Sequence, residues 1–233
     1  MILAYHRINP WYEDDALTVP PGRFKKQVGY LVKKGFRPFS PEDYFSEIKA
    51  VPGRYRFSIT FDDGFADNLW YALPVLEASG IRPLIFLTAG LIGTDKTLER
   101  YKNPERDRFL NWGEVGEMID RGVKFGSHAI NHLHLPSLKD SIMKEEICGS
   151  KKLIEDRTGE KVDFFCYPYG DFNEKVIDAV QNAGYTCAFV TPGKRKLDKG
   201  RYTVPRTGIY GHNGFLTFMV KIWKDSRKTE KLF

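Results

Sequence analysis

Short apolar runs rich in β-branched and aromatic residues alternate along the chain with segments in which apolar residues recur at helical spacing. The short runs predict buried strands, whereas the longer spacing predicts amphipathic helices. The predicted strands span residues 2–8, 36–39, 56–61, 83–88, 123–127, 162–167, 186–191 and 202–206. The predicted helices span 24–32, a segment that Pro41 opens, 72–79, 112–120, 141–157 and 174–183.

This repeated alternation of strand and helix predicts an α/β fold in which parallel strands are covered by helices. An open, doubly wound sheet and a barrel both satisfy the pattern. The sequence shows neither an internal repeat nor a linker-like run, so we expect one domain over 1–233. The charged stretch 94–108 is predicted to be an inserted surface loop that rims a site. The basic tail 221–233 is predicted to be a solvated terminal helix in preference to a membrane contact.

Composition narrows the class of protein. The 233 residues include 42% hydrophobic and 28% charged side chains, which excludes a disordered chain. The net charge of +6 is moderate and falls short of the clustered charge of a nucleic-acid binder, so no nucleic-acid partner is expected. That charge suits an anionic surface or a polyanionic glycan. Three cysteines without C-x-x-C spacing predict reduced thiols.

The N-terminal residues read directly into the first predicted strand and lack the basic and apolar regions of a secretory signal. The longest apolar stretches, such as 84–87, are too short to span a bilayer. We therefore expect a cytoplasmic protein, or one at the inner face of the membrane, unless a leader has been removed from an exported form.

Two adjacent acids give the strongest chemical signal. Asp62 and Asp63 follow the predicted strand 56–61 and precede Gly64. Neighbouring residues at a strand end point to opposite sides, so the two carboxylates can take different roles. Ligands bind at the carboxyl ends of strands in α/β folds. An Asp-rich turn or helix cap is the purely structural alternative.

A pair of histidines gives the second signal. His128 and His132 follow the predicted strand 123–127, and a spacing of four residues on a helical turn lets both imidazoles share one metal. Two imidazoles and a carboxylate suit zinc or a similar divalent ion. The offset of His134 suits a third ligand poorly, so we expect it to have a supporting or structural role.

Other polar residues also lie at predicted strand ends. His6 ends the first apolar strand, Arg206 ends a late one, and the segment 164–170 runs into a Pro-Gly turn. Each feature taken singly is more often structural than functional. Parallel strands would nevertheless bring all of them to one face.

The three motifs together resemble the polysaccharide deacetylases, carbohydrate esterase family 4. They are Thr-Phe-Asp-Asp-Gly at 60–64, Ser-His-x-x-x-His at 127–132 and Tyr-Pro-Tyr-Gly at 167–170. The resemblance implies a distorted (β/α) barrel with seven strands and a divalent metal held by Asp63, His128 and His132. It further implies that Asp62 is the catalytic base and that the backbone N–H of Tyr169 helps to hold the oxyanion.

Two departures from the family pattern alter these expectations. The arginine that usually braces the catalytic aspartate is replaced by Cys166, and Arg206 is the best substitute because its fork suits a carboxylate. The usual late strand that ends in the catalytic histidine resembles residues 2–6 instead. We therefore expect His6 to be the catalytic acid in preference to His212, as in the circularly permuted deacetylases that modify exopolysaccharides.

The resemblance predicts a metal-dependent hydrolase that removes N-acetyl groups from amino sugars of a polysaccharide or glycoconjugate, which includes a lipid-linked saccharide. Zinc is the expected metal, with cobalt, nickel and iron as alternatives, and a membrane contact would involve the basic tail. Aromatic side chains that could stack on sugars at the rim are Trp112, Tyr167 and Tyr169. The competing hypotheses are a related amidase acting on a cyclic imide or ureide and a glycan-binding module without catalysis.

Overall fold

The structure, a computed structural model, describes residues 1–12, 15–40, 55–96, 101, 103, 105–191 and 200–229. The helix predicted after Pro41 lies outside the described residues, as do parts of 94–108 and 221–233. The chain divides into two compact units. The first unit comprises Met1–Phe61, Asp67–Leu84 and Thr207–Phe233, and the second comprises Asp62–Ala66 and Ile85–Arg206.

Strands and helices alternate through the described residues, as the sequence pattern predicts. The strands are β1 (Ile2–Tyr5), β2 (Arg7–Ile8), β3 (Thr18–Val19), β4 (Arg37–Pro38), β5 (Arg56–Phe61), β6 (Leu84–Leu87), β7 (Lys124–Ser127), β8 (Phe164–Cys166), β9 (Cys187–Val190), β10 (Val204–Pro205) and β11 (Thr207–Gly208). The α-helices are α1 (Pro21–Lys33), α2 (Leu73–Glu77), α3 (Trp112–Asp120), α4 (Asp140–Lys144), α5 (Ser150–Thr158), α6 (Glu174–Asn182) and α7 (Phe215–Thr229). Two π-helical turns, Asn68–Ala72 and Glu145–Gly149, precede α2 and α5. Short 3₁₀ turns span Leu135–Ser137, Pro168–Gly170 and Gly200–Tyr202.

In the first unit, four parallel strands lie in the order β4-β5-β1-β11. Leu3 of β1 faces Ile59 of β5 on one side and Thr207 of β11 on the other. Every residue of β1 is buried, which explains its unbroken apolar run, because a parallel strand is covered on both faces. The strand predicted over 2–8 is interrupted at His6, and β2 pairs instead with β3.

The helices of the first unit pack through their apolar stripes. Phe24 of α1 lies edge-on to Tyr5 with ring centroids 5.2 Å apart, and the Tyr5 hydroxyl donates to Gln27 at 3.1 Å. In α7, Phe218 and Ile222 are buried on one face. None of the described helices is long and apolar enough to cross a membrane.

In the second unit, the strands run in the order β6-β7-β8-β9-β10. Phe165 of β8 faces Ser127 of β7 and Ala188 of β9, and Val204 of β10 faces Phe189 of β9; all three pairings are parallel. The carboxyl ends of parallel strands meet at one edge, so the polar segments that follow β7, β8 and β10 come together.

Local chemistry explains the best-predicted helix. The side chain of Asn111 accepts from the backbone N–H of Glu114 at 2.9 Å, and the Glu114 carboxylate accepts from the backbone N–H of Asn111 at 2.9 Å. This capping box fixes the start of α3 at Trp112, as predicted. The helix predicted over 141–157 is instead divided into α4, a π turn and α5.

Two described residues of the stretch 94–108 are buried. Tyr101 and Asp107 are buried, and the Tyr101 ring lies edge-on to Phe65 at 5.6 Å. Phe65 in turn stacks on Phe109, with centroids 4.8 Å apart. Tyr101 and Asp107 are therefore buried contacts within a stretch that the sequence predicts to be an inserted surface loop.

Candidate active site

The backbone turns sharply where β5 ends at the paired acids. Asp63 has a φ of 75°, a left-handed conformation that costs a residue with a side chain about 1–2 kcal/mol. Its carbonyl accepts from the backbone N–H of Thr88 at 3.2 Å, which holds the turn. Asp62 and Asp63 are both almost completely buried. Buried carboxylates require compensating partners, and each aspartate has a different set.

Asp63 lies with two histidines in a cluster of metal-binding groups. Its Oδ1 atom is 3.6 Å from His128 Nε2 and 3.4 Å from His132 Nε2. One ligand atom from each residue lies within 4.8 Å of the others. His128 Nδ1 is 2.7 Å from the carbonyl of Cys166, a hydrogen bond that orients Nε2 toward Asp63. One carboxylate and two imidazoles fit zinc or a similar divalent ion.

The two imidazoles are not on a helical turn, contrary to the prediction from their spacing. Residues 128–132 form a loop after β7 in which Ala129 and His132 have φ values of 64° and 57°. These left-handed residues reverse the chain so that the rings of His128 and His132 meet with centroids 4.7 Å apart. The two imidazoles come together as predicted, but the left-handed backbone of the loop, and not helical periodicity, brings them together.

Burial keeps the imidazoles neutral. It lowers the pKa of His128 to about 3, with a smaller lowering from the neighbouring His132 that Asp62 opposes. Burial also lowers the pKa of His132. A neutral imidazole has a lone pair to offer, so both rings are in the form that binds metals.

Asp62 is held by Arg206. The two guanidinium nitrogens Nη1 and Nη2 donate to Asp62 Oδ1 and Oδ2 at 2.7 and 2.8 Å. Nη2 also donates to Thr191 Oγ1 and Cys166 Sγ, each at 3.0 Å. Burial raises the pKa of the Cys166 thiol well above its usual value. The expected substitute brace therefore contacts both the acid and the cysteine that replaces the usual arginine.

Tyr169 lies at the exposed side of the histidine cluster. It adopts a left-handed φ of 59° in the 3₁₀ turn after β8, and 60% of its surface is exposed. Its ring stacks on His134, with centroids 3.8 Å apart, and meets the edge of His132 at 4.5 Å. His134 therefore supports the ring beside a candidate metal ligand.

The other two predicted rim residues are placed differently. Tyr167 is buried, stacks on Phe172 at 4.8 Å, and donates its hydroxyl to the Tyr202 carbonyl at 3.0 Å. The prediction that Tyr167 stacks on a sugar is thus wrong, because its ring belongs to the core. Trp112 is half-buried and lies 5.8 Å from the Arg157 guanidinium.

The two candidate acids both belong to the first unit. His6 is half-buried between β1 and β2, and its carbonyl accepts from Asn68 Nδ2 at 2.9 Å. The adjacent Asp67 accepts from Arg7 Nε at 2.8 Å and from the backbone N–H of Ile8 at 3.2 Å. The turn that carries His6 is therefore fixed on both sides.

His212, by contrast, is exposed in the turn before α7 and stacks on Tyr210 with centroids 5.6 Å apart.

The sequence did not identify two acids that accept hydrogen bonds from the backbone beside His6 and beside His132. Asp67 follows the paired acids by only a few positions, and Glu146 occurs among many charges in the stretch 141–157. Both are buried. The available signal is an acid on the apolar stripe of an otherwise amphipathic segment, since such a residue must find donors in the interior.

Comparison with known proteins identifies relatives of this chain. The family model "Polysaccharide deacetylase" matches residues 49–188, which include both acids, both histidines and Tyr169. YxkH of Bacillus subtilis strain 168, assigned to the polysaccharide deacetylases, is 29% identical over 211 residues that cover 89% of this chain and 70% of YxkH. His6, Arg206 and His212 lie outside the matched range of the family model.

Two solved structures share the fold. The Streptococcus pyogenes deacetylase PplD, solved with acetate, has a TM-score of 0.79 and 21% identity, covering 95% of this chain and 96% of PplD. IcaB from Ammonifex degensii has a TM-score of 0.79 and 22% identity, covering 96% of this chain and 95% of IcaB. The predicted fold class, an α/β fold of the distorted (β/α) barrel type, is confirmed by such matches.

The chain therefore belongs to the polysaccharide deacetylase family and is a hydrolase of that class. Family members depend on a metal, and the Asp63–His128–His132 cluster is the candidate metal site of this chain.

Proposed function

We propose that this protein removes N-acetyl groups from the amino sugars of a polysaccharide or glycoconjugate with one divalent ion, zinc by preference. One observation carries the proposal. The metal-binding cluster of Asp63, His128 and His132 is directly adjacent in the chain to Asp62, whose carboxylate is gripped by Arg206. A ligand set beside a separately oriented carboxylate is an arrangement that suits metal-dependent hydrolysis of an amide.

The two acids divide the work. A divalent ion held by Asp63, His128 and His132 would supply Lewis acidity, polarising the acetamide carbonyl and lowering the pKa of a water molecule. Asp62 accepts the proton of the attacking water as general base. The fork of Arg206 leaves Asp62 only a small range of orientations, because two parallel hydrogen bonds define the plane of the carboxylate. This orientation matters because small displacements of a catalytic group lower the rate of the reaction.

The oxyanion is stabilised by the backbone N–H of Tyr169. The turn that presents this N–H is closed by hydrogen bonds from Gly170 to the Tyr167 carbonyl at 2.9 Å and from Asp171 to the Pro168 carbonyl at 3.0 Å. A donor fixed in this way stabilises the negative charge that develops on the carbonyl oxygen. Losing one such donor typically lowers the rate by about 10²–10³-fold.

His6 donates a proton to the departing nitrogen as the amide breaks. The hydrogen bond from Asn68 and the neighbouring contacts of Asp67 support this role, since a general acid needs a fixed backbone. His212 is exposed in a turn and is the weaker candidate. The products are acetate and a sugar with a free amine.

The substrate we propose is an amino-sugar glycan, with a lipid-linked saccharide at the inner face of the membrane as the preferred setting. PplD was solved with acetate, and this chain has the same fold. The exposed ring of Tyr169 offers a stacking surface for a sugar. On α7, Leu216 and Val220 are exposed beside the basic Lys224, which supports a contact with an anionic membrane surface.

Acetate release from N-acetylglucosamine oligomers tests the proposal. Metal-loaded protein should release acetate, chelation should stop the release, and added zinc should restore it. The His128→Ala variant, which lacks a metal ligand, is the negative control. Opening of a cyclic imide without acetate release would favour the amidase hypothesis, whereas oligomer binding without turnover would favour a binding module.

A further inference from the structure

The histidine loop requires an external constraint. Its residues Ala129 and His132 both have left-handed backbone conformations, which are unfavourable for residues with a side chain. The carbonyls of Ala129 and Ile130 accept from the backbone N–H groups of Ala89 and Gly90 at 3.0 and 2.9 Å. These bonds satisfy two acceptors of the loop. Among its donors, the backbone N–H of Ala129 binds Ser127 Oγ at 3.2 Å, and those of residues 130 and 131 need a different partner.

Glu146 supplies that partner. Its Oε2 atom accepts from the backbone N–H groups of Ile130 and Asn131 at 3.0 and 2.8 Å, and Oε1 accepts from Asn131 Nδ2 at 2.6 Å. Glu146 is only 3% exposed. Three donors therefore converge on one buried carboxylate, and the residue after Asn131 in the chain is His132.

The π turn Glu145–Gly149 shapes the other side of this contact. A Cβ atom added at Gly149 would lie 2.8 Å from Ile130 Cδ1. A Cβ atom added at Gly90 would lie 2.8 Å from Ile130 Cγ2. Ile130 is thus enclosed between two glycines while Glu146 holds its backbone. A π turn of this kind is often found at functional sites, because the extra residue redirects neighbouring side chains.

We propose that Glu146 is a positioning residue that fixes the loop so that His132 presents its Nε2 to the metal. The inference rests on the proposed function, because it assumes that His132 is a ligand. Glu146 acts through the backbone of residues 130 and 131 and makes no contact with the metal itself. Removing it frees the strained loop to relax, and His132 then leaves the position 3.4 Å from Asp63.

The test compares zinc affinity among the wild type and three purified variants, measured by competition with a chromophoric chelator, with melting temperature recorded for each. Glu146→Ala should weaken zinc binding about 10–100-fold, the usual effect of losing a residue that orients a ligand. Glu146→Gln should bind close to the wild-type level, since an amide oxygen can accept from both N–H groups and the Asn131 amide can turn to suit it. Glu145→Ala is the matched control, because this neighbouring glutamate is exposed.

Each outcome decides the question. If Glu146→Ala melts at a lower temperature but binds zinc like the wild type, the role is only structural and the inference is overturned. Should Glu146→Ala fail to fold, Glu146→Asp replaces it, because the shorter carboxylate no longer reaches both backbone N–H groups, and unchanged zinc affinity in that variant overturns the inference equally. A wild-type protein that binds no zinc would instead refute the metal site of the proposed function, and the positioning role with it.

Discussion

Arg206 and Asp62 are joined by two hydrogen bonds of 2.7 and 2.8 Å although 144 positions separate them in the chain. Both side chains are buried, so the pair has little access to water. Breaking such a pair by removing one partner leaves an uncompensated charge and usually costs about 3–5 kcal/mol. The geometry of the proposed base, Asp62, thus depends on a residue outside the recognised motifs.

The first prediction concerns this fork. Arg206→Lys keeps the positive charge but replaces a planar, bidentate donor by a single ammonium. We expect turnover to fall by about 10–100-fold, because the Asp62 carboxylate loses its fixed orientation. Steady-state kinetics of acetate release, with metal content determined in parallel, provide the measurement. Arg201→Lys, at an exposed position nearby in sequence, should behave like the wild type, and full activity in Arg206→Lys would contradict the bracing role.

The second prediction separates the two acids. Asp62→Asn should keep its metal but lose about 10²–10⁴ of its activity, since general-base catalysis typically contributes that much. Asp63→Asn should lose metal and activity together, because a ligand is weakened. Metal analysis and acetate release must be made on the same preparations. Metal loss in Asp62→Asn alone would show that the roles of the two acids are reversed.

The third prediction concerns the general acid. His6→Ala should lower turnover by about 10²–10⁴ with nearly unchanged metal content and melting temperature. His212→Ala is the matched comparison and should have little effect, since that imidazole is exposed in a turn. The assignment fails if His212→Ala is the inactive variant and His6→Ala is merely less stable.

The fourth prediction concerns the stability of the turn beside His6. Burial raises the pKa of Asp67 to about 6, and the nearby Arg7 opposes this effect only in part. The folded protein then binds a proton at Asp67 more tightly than the unfolded chain, so this carboxyl favours folding most at low pH. Its contribution to the free energy of unfolding should fall as pH rises from about 4 to about 6 and stay level above.

Urea unfolding of the wild type and Asp67→Asn over this pH range isolates the effect. The difference in free energy, wild type minus variant, should decrease by on the order of 2–3 kcal/mol across the window. An increase would mean that the attraction of Arg7 outweighs burial and that the pKa of Asp67 is lowered. Asp15→Asn, which alters a partly exposed carboxylate in the same unit, serves as control.

The sequence predicts much of the fold because local and global preferences agree there. The run at 56–61 and the helix at 112–120 have the predicted bounds, since an apolar core face and a capping box define them. Asp63, His128 and His132 are brought together as predicted, although a loop and not a helical turn places the two histidines. Short strands such as β10 are overestimated, because the apolar run extends beyond the ladder.

What the sequence does not reveal depends on backbone conformation and burial. Positive φ values at Ala129 and His132 are visible only in three dimensions, because alanine does not favour them and histidine adopts them only in a minority of cases. Tyr167 and Tyr169 occur two positions apart in the same motif, yet one is buried and the other is exposed. The 3₁₀ turn Pro168–Gly170 rotates the chain between the two rings. Residue type alone does not show which ring faces solvent.

The three cysteines have very different surroundings, which has a practical consequence. Cys166 and Cys187 are buried, and burial raises the pKa of both thiols, to about 12 for Cys187. Cys148 is exposed and lies in the same π turn as Glu146. Alkylating reagents attack thiolates that they can reach, so mild treatment at neutral pH modifies Cys148 alone. Cys148 is thus a labelling site for a fluorophore next to the histidine loop, and no engineered cysteine is needed.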